Sequence, residues 1–244
     1  MTGPRPQAAA LALRFASRDH PVRHLVQECR TALRHRYSVG LTLAADAAQA
    51  WRVSLCAEGP LAAQGESLQI NLGEGPCVQA LDQEDPVLAD DLDHTSATRH
   101  WPVYAQQARA HGIHAVFALP LVHRSRPARP SGLVLSLYRD RPGPADETDL
   151  RTAQDHAEAA ELLLLTAPAP DDDATHAWLL PADAVVHQAL GMISYRHSLT
   201  TGQALALLRA HAHTTGSDLT TLAHAIVHAG LTLPDPPDTG SPRN

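Results

Sequence analysis

Two apolar runs, Ile113-His-Ala-Val-Phe-Ala-Leu-Pro-Leu-Val122 and Gly132-Leu-Val-Leu-Ser-Leu-Tyr138, stand on either side of a nine-residue segment rich in arginine and proline. Both runs are short and rich in aliphatic and aromatic side chains, which is typical of strands buried in a sheet. The segment between them has the composition of a loop. The sequence therefore predicts that the two runs pair as a hairpin, with Pro120 interrupting the first strand.

The residues around this hairpin predict further helices and strands. Helices are expected where apolar residues recur at helical spacing or proline suits a first turn, over His20–Arg36, Pro76–Leu81, Trp101–His111 and Asp146–Leu165. Strands are expected over Tyr37–Leu43, Trp51–Ala57 and Pro86–Ala89. This order predicts an α+β domain over residues 20–166 with a mostly antiparallel sheet.

The composition changes at Thr166-Ala-Pro-Ala-Pro-Asp-Asp-Asp-Ala174. Proline removes backbone donors that a helix needs, and three adjacent aspartates repel one another. We therefore predict a linker over residues 167–180. Residues 1–19 are expected to be mobile, although Ala8–Phe15 can form a turn of helix, and residues 234–244, with four prolines, are expected to be disordered.

Residues 181–233 have helical patterns throughout. Thr200 and Gln203 have the spacing of a capping box, and Gly216 and Gly230 are placed to end helices. The apolar stripes between these signals predict an all-α bundle of three short helices. A bundle of about 50 residues has a small core, so we expect it to be marginally stable alone and to pack against a partner subunit.

The 244-residue chain carries a net charge of −7, and all nineteen of its Lys+Arg residues are arginine. The acidic balance argues against a protein coated in basic surface for indiscriminate nucleic-acid binding, although it leaves room for a local site. The acidity lies in residues 20–180, whereas residues 181–233 balance two arginines against two aspartates. No apolar run reaches the ~18–20 residues of a membrane span and no signal peptide is visible, so we expect a soluble cytoplasmic protein.

Three blocks of the C-terminal segment resemble an ANTAR domain in their order and spacing, namely Val186-His-Gln-Ala-Leu-Gly-Met192, Ala204-Leu-Ala-Leu-Leu-Arg-Ala-His-Ala212 and Leu219–Val227. The resemblance implies a three-helix bundle that works as a dimer, binds paired hairpins in nascent RNA and prevents a terminator from forming. Two positions depart from the family's pattern. Leu190 stands where a small or polar residue is usual, and Ser217 where related chains often have a basic residue.

The segment Leu72-Gly-Glu-Gly-Pro-Cys-Val-Gln-Ala-Leu81, followed by Trp101-Pro and by the two runs of the hairpin, is similar to a GAF domain. This resemblance implies a ligand pocket or dimer module on a central antiparallel sheet, addressed by a small molecule or an upstream signalling protein. A GAF domain followed by an ANTAR domain resembles the GAF–ANTAR regulators of actinobacteria. It implies a homodimeric, non-enzymatic regulator of transcription antitermination that needs no cofactor.

Six residues of the helical segment are candidate RNA contacts, namely Gln188, Gly191, Tyr195, Arg196, Arg209 and His213. The guanidinium forks of the two arginines suit phosphate oxygens and base edges. Tyr195 is the one aromatic residue of residues 181–233 and can stack on an unpaired base, although packing within the bundle is the more common role. Gly191 is expected to let helices approach closely.

Four residues are candidates for a ligand pocket in the GAF-like domain, namely Trp51, Cys77, Trp101 and Phe117. Cys77 stands at a predicted helix start, where a lowered thiol pKa would make it redox-active. A related branch of GAF domains contains cysteine enzymes that reduce free methionine sulfoxide. Here the nearest earlier cysteine is Cys56, farther upstream than in those enzymes, so a buried structural role for Cys77 is favoured.

Two alternatives to the antitermination regulator stay open. The first is a dimerisation or protein-interaction module that has lost RNA binding, which Leu190, Ser217 and the neutral helical segment favour. The second is a thiol enzyme of the GAF type that uses Cys77. No metal site is expected, since His224 and His228 have metal-ligand spacing on one helix but no evident third ligand.

Overall fold

The computed structural model describes residues 5–44, 52–122, 132–166 and 184–234. The chain divides into two compact units, of which the first ends at Pro181 and the second begins at Ala182. Among the described helices, none is long and apolar enough to cross a membrane.

The first unit combines helices with a sheet. Its described helices are α1 (Pro6–Phe15), α2 (Pro21–Ala32), α3 (Ala62–Leu72), α4 (Pro76–Gln83), α5 (Thr95–His100), α6 (Pro102–Ala110) and α7 (Glu147–Thr166). Its described strands are β1 (Ser38–Ala44), β2 (Arg52–Glu58), β3 (Val87–Ala89), β4 (Ala115–Val122) and β5 (Gly132–Arg139). The α+β class is therefore confirmed for this unit, while α3 and α5 are helices that the sequence patterns did not predict.

The five strands form one sheet in the order β2-β1-β5-β4-β3, and all neighbouring strands in it run antiparallel. β4 and β5 pair along their length, with Leu119 opposite Leu135, which confirms the predicted hairpin. Pro120 lies within β4, opposite Val134, and the pairing continues past it to Val122.

Helices cover both faces of the sheet, because side chains alternate between the faces along each strand. On one face, Phe117 and Leu135 pack with residues of α1, α2 and α7. On the other face, Val116 and Tyr138 pack with residues of α3, α4, α5 and α6. The strand β5 is buried along its whole length as a result.

The N-terminal segment differs from the prediction of a mobile stretch over residues 1–19. The structure places Pro6–Phe15 in α1 and buries three of its apolar side chains, Ala8, Ala12 and Phe15. Arg5, just before the helix, donates from Nε to Oε1 of Glu158 on α7 at 2.9 Å. Contact with α7 buries apolar side chains that would be exposed in the isolated segment. This burial is the physical reason why the segment forms a helix here and is not mobile.

The second unit consists of α8 (Ala184–His197), α9 (Thr201–Thr215) and α10 (Leu219–Ala229), which confirms the predicted three helices. The capping box is formed, with the backbone N–H of Thr200 donating to Oε1 of Gln203 at 2.9 Å. Gly216 and Gly230 end α9 and α10 with φ of 64° and 70°. The core of the unit is made of small and aliphatic side chains, namely Ala189, Leu190, Ile193, Ala204, Leu205, Leu208, Leu222, Ala223 and Ile226.

Candidate functional site

Three of the predicted RNA contacts form an exposed stripe on α8. Gln188, Gly191 and Tyr195 are spaced by three and four residues, which places them on one side of the helix, and all three are exposed. Tyr195 is 90% exposed, so the predicted packing role within the bundle is wrong for the described chain. A Cβ added at Gly191 would meet no atom within 4 Å, so this glycine does not serve a close helix approach within the unit.

Arg196 lies next to this stripe and is also exposed. Together with Met192, Ile193 and His197, it lines a small crevice whose other wall is formed by Ile226, Leu231 and Leu233. Arg196 therefore lies on the side of α8 that faces the C-terminal end of α10. A guanidinium group next to an exposed tyrosine gives this end of α8 one cationic and one aromatic group at its surface.

The other two predicted RNA contacts lie on α9. Arg209 and His213 are four residues apart and share one side of that helix, where Arg209 is half-buried and His213 is exposed. The structure therefore divides the six predicted contacts into four on α8 and two on α9.

The two departures from the family pattern have different surroundings. Leu190 is 2% exposed and belongs to the core of the bundle, so this departure changes packing and not the exposed stripe. Ser217 is half-buried and precedes Asp218, whose carboxylate accepts from the backbone N–H of Thr221 at 2.8 Å and caps α10. The rings of His224 and His228 lie 5.4 Å apart, and in the described part of the chain no three side chains are grouped so as to hold a metal ion.

The structure does not bring the four predicted pocket residues together. Cys77 and Trp101 belong to the core on the α3–α6 side of the sheet, where they are 1% and 7% exposed. Phe117 belongs to the core on the opposite side, because it alternates with Val116 along β4. Trp51 lies outside the described residues.

Cys77 is buried, as the favoured structural role predicts, and the less favoured alternative of a lowered thiol pKa is contradicted. Burial is the main cause that raises the pKa of this thiol far above its ordinary value, and the charge of Glu66 adds to the effect. A thiol in these surroundings stays protonated and is a poor nucleophile. Its backbone N–H donates to Oε1 of Gln69 at 2.6 Å, so Cys77 takes part in the core through its main chain.

The sequence patterns missed a polar network at the centre of the same core. Gln69 donates from Nε2 to the Tyr138 hydroxyl at 2.8 Å, and that hydroxyl donates to Oε1 of Glu66 at 2.5 Å. Thr42 donates to the other carboxylate oxygen of Glu66. Both Glu66 and Gln69 are 2% exposed. Both residues lie on α3. This helix has no strong apolar periodicity, so the sequence predicted neither the helix nor the network.

Two family models match the chain, one in each unit. Residues 16–165 match the GAF domain, and residues 180–227 match the ANTAR domain. Among curated proteins, none matches the chain significantly. A GAF domain suggests signal sensing, and an ANTAR domain suggests RNA-binding antitermination regulation. Both are regulatory domains, which fits a protein that is not an enzyme.

Several solved structures resemble the chain at low identity. The GAF domain of a phosphoenolpyruvate-protein phosphotransferase from Coxiella burnetii is 15% identical, with 66% of this chain and 92% of that chain covered and a TM-score of 0.47. The free methionine-R-sulfoxide reductase of Neisseria meningitidis is 19% identical over 66% and 87%, with a TM-score of 0.42. Escherichia coli SdiA is 14% identical over 93% and 98%, with a TM-score of 0.46. At these identities and TM-scores the likenesses carry no information about ligand or activity.

Proposed function

The chain belongs to the GAF domain family and carries an ANTAR domain after it, and from this premise we propose that it is a signal-responsive antitermination regulator. Residues 20–166 sense the signal. Residues 181–233 bind paired hairpins in nascent RNA and prevent transcription termination. Nascent RNA is made in the cytoplasm of bacteria, so the regulator acts there.

The observation that carries the RNA half of the proposal is the exposed stripe on α8. Proteins that recognise RNA by sequence stack aromatic side chains on unpaired loop bases and contact phosphates with arginine. Tyr195 offers such a stacking surface because it is 90% exposed, and Arg196, the next residue along α8, is exposed as well. An exposed tyrosine does not contribute to the packing of this aliphatic bundle. Stacking on an RNA base would give its ring a function.

The small number of charges in the bundle is compatible with this proposal. Hydrogen bonds from Thr221 hold the pKa of Asp218 below its ordinary value, so this carboxylate is ionised at neutral pH and lies at the N-terminus of α10. A carboxylate interacts favourably with a helix N-terminus, so the negative charge of Asp218 has a structural role in α10. Arg196 and Arg209 are then the fixed cations for phosphate contacts, and two contacts predict a shallow salt dependence of RNA binding.

Substitution of Tyr195 tests the stacking contact directly. Tyr195→Ala removes the ring, and we expect affinity for paired-hairpin RNA to fall by about 1–3 kcal/mol, the usual contribution of a stacked base. Tyr195→Phe keeps the ring and should retain most of the affinity. Both are measured by filter binding with the full-length protein. Equal affinity in the Ala, Phe and parent proteins would remove Tyr195 from the interface.

Substitution of the arginines tests the phosphate contacts. Arg196→Ala and Arg209→Ala should each weaken binding and lower the slope of log Kobs against log salt by about 1. Arg99→Ala is the control, because it removes the same charge at an exposed position on α5. If the parent protein binds no paired-hairpin RNA, the alternative of an interaction module that has lost RNA binding replaces the proposal.

We further propose that the regulator is a homodimer. GAF domains bind ligands or dimerise, and Leu165 near the end of α7 is 57% exposed although it follows an apolar run. Sedimentation velocity at micromolar concentration tests this proposal. A monomer that nevertheless binds paired hairpins with full affinity would contradict the dimer and leave RNA binding intact.

A further inference from the structure

A cleft of about 450 Å³ opens in the first unit, beside the start of β1 and the end of β5. Three segments line it, namely residues between Arg30 and Ser38, Pro60–Leu61, and Tyr138–Arg141. Five of the lining residues are arginines, namely Arg30, Arg34, Arg36, Arg139 and Arg141. The lining includes one acidic residue, Asp140. The cleft is therefore locally positive, although the chain as a whole has a net charge of −7.

Two of the five arginines hold the walls of the cleft. Arg36 donates from Nη2 to Oδ1 of Asp149, in the first turn of α7, at 2.6 Å. Arg139 donates from Nε to the carbonyl oxygen of Arg141 at 3.0 Å, and its guanidinium lies 5.7 Å from the centre of the Tyr37 ring. These contacts fix the cleft without using its remaining cations.

The other three arginines, Arg30, Arg34 and Arg141, form no ion pair with a carboxylate in the part of the chain that the structure describes. The Nε atom of Arg30 is buried and has no hydrogen-bond partner there. It packs against Gly59, where an added Cβ would come within 2.8 Å of it. Gly59 therefore leaves the space in which this guanidinium lies.

The turn that presents Arg34 has an unusual backbone. Arg34 and His35 have φ of 53° and 56°, a left-handed conformation that residues with a Cβ rarely adopt. The turn is held by hydrogen bonds from the backbone N–H of Arg34 to the Thr31 carbonyl at 2.8 Å and from His35 to the Arg30 carbonyl at 2.9 Å. The two residues follow the end of α2, and both line the cleft.

We propose that this cleft binds a small ligand that carries a diphosphate group. Guanidinium forks bind phosphate oxygens in pairs, and three of them without carboxylate partners provide more donors than a single phosphate requires. The volume lies in the range of small-molecule pockets, roughly 300–1,000 Å³. The inference rests on the sensing half of the proposed function, for which it names the ligand class, and it does not depend on RNA binding.

The ion pair of Arg36 gives the ligand a connection to α7. Arg36 lines the cleft and pairs with Asp149, so a bound diphosphate would compete with Asp149 for this guanidinium. Asp149 is 5% exposed, so loss of this ion pair would leave a buried carboxylate without its cation. α7 is the last helix of the first unit, and the chain continues from it towards the ANTAR domain.

Calorimetric titration of the full-length protein with inorganic pyrophosphate tests the proposal. The double variant Arg34→Gln/Arg141→Gln removes two exposed guanidinium groups and keeps the backbone hydrogen bonds of the turn. We expect its affinity for pyrophosphate to fall at least about tenfold, as for the loss of a charge-assisted hydrogen bond. Arg99→Gln/Arg151→Gln is the matched control, because it removes two exposed arginines outside the cleft. It should bind like the parent, and circular dichroism should be the same for all three proteins.

Other results of these titrations overturn the proposal. No heat with millimolar pyrophosphate, or equal binding by the cleft variant and the control variant, excludes a diphosphate site here. Orthophosphate that binds as tightly as pyrophosphate excludes the preference for two phosphates. If paired-hairpin RNA loses affinity for the cleft variant while pyrophosphate does not bind, the cleft is an RNA surface. A pyrophosphate site in a protein that binds no RNA would confirm this inference and contradict the proposed function.

Discussion

Glu66 lies among apolar side chains, where an ionised carboxylate loses most of its hydration. Burial raises the pKa of its carboxyl from 4.5 to about 7, although the hydrogen bonds from Thr42 and Tyr138 lower it. Two glycines make room for this arrangement. A Cβ at Gly40 would come within 2.3 Å of the Glu66 carboxylate, and one at Gly65 within 2.3 Å of the Tyr138 ring.

The raised pKa predicts a stability that depends on pH. Below pH 4.5 the carboxyl of Glu66 is protonated in the folded and the unfolded chain, and between 4.5 and 7 the unfolded chain alone ionises it. Its contribution is therefore complete at low pH and is lost as the pH rises through 7. We expect the free energy of unfolding to fall by roughly 3 kcal/mol from this group between those limits.

Glu66→Gln should abolish that part of the pH dependence, because glutamine does not ionise. The difference in unfolding free energy between variant and parent, measured by urea denaturation from pH 4.5 to 8, should shift in favour of the variant as the pH rises. Glu147→Gln, at an exposed position on α7, is the control and should keep the slope of the parent. A constant difference between Glu66→Gln and the parent over this range would show that the carboxyl of Glu66 does not titrate there.

At the scale of single residues, the sequence predicted which residues are buried better than it predicted which residues lie together. Cys77 and Trp101 are buried together as expected of core residues, yet the pairing of Phe117 with them failed because the alternation along β4 turns it to the other face. Packing within the bundle, the more common role, was expected of Tyr195 on α8, yet its side chain is exposed. Which side faces α9 and α10 is decided by the other helices, and the sequence of α8 alone does not contain that information.

At the scale of elements, the hairpin of β4 and β5 was predictable because its strands are short, apolar and separated by a loop. α1 was not, because a ten-residue helix is marginal in water and forms here against α7. Its buried residues Ala8, Ala12 and Phe15 have helical spacing, but burial requires a partner that lies far away in the sequence. The left-handed turn at Arg34 and His35 was missed because residues other than glycine adopt a positive φ only uncommonly, so the sequence contains no clear signal for it.

The docking of α1 predicts a large difference between two substitutions in one helix. Phe15 is 3% exposed, and Leu13 is 78% exposed. We expect Phe15→Ala to lower the free energy of unfolding by about 3–5 kcal/mol, as is usual for a buried phenylalanine. Leu13→Ala should change it by less than about 0.5 kcal/mol. Chemical denaturation measures both, and equal effects would mean that α1 does not dock as described.

At the scale of the whole molecule, the chain divides into two compact units, and each unit has buried residues of its own. The sheet of the first unit supports a core on each face, whereas the bundle has one small core of alanine and aliphatic side chains. The net charge of −7 comes mainly from the first unit, in which the arginine cleft is a local exception, whereas the bundle is nearly neutral. Function at this scale therefore has to be tested unit by unit within the full chain.

Separate cores predict separate unfolding transitions. Scanning calorimetry of the full-length protein should show the bundle melting first, because its core is the smaller one. Leu208→Ala, at a fully buried position of α9, should lower that transition, with a cost of about 2–5 kcal/mol. Leu135→Ala, 1% exposed in β5, is the matched control and should lower the other transition. If both variants lowered one common transition by the same amount, the two units would unfold together, and a signal in the GAF domain would then reach the ANTAR domain through shared stability.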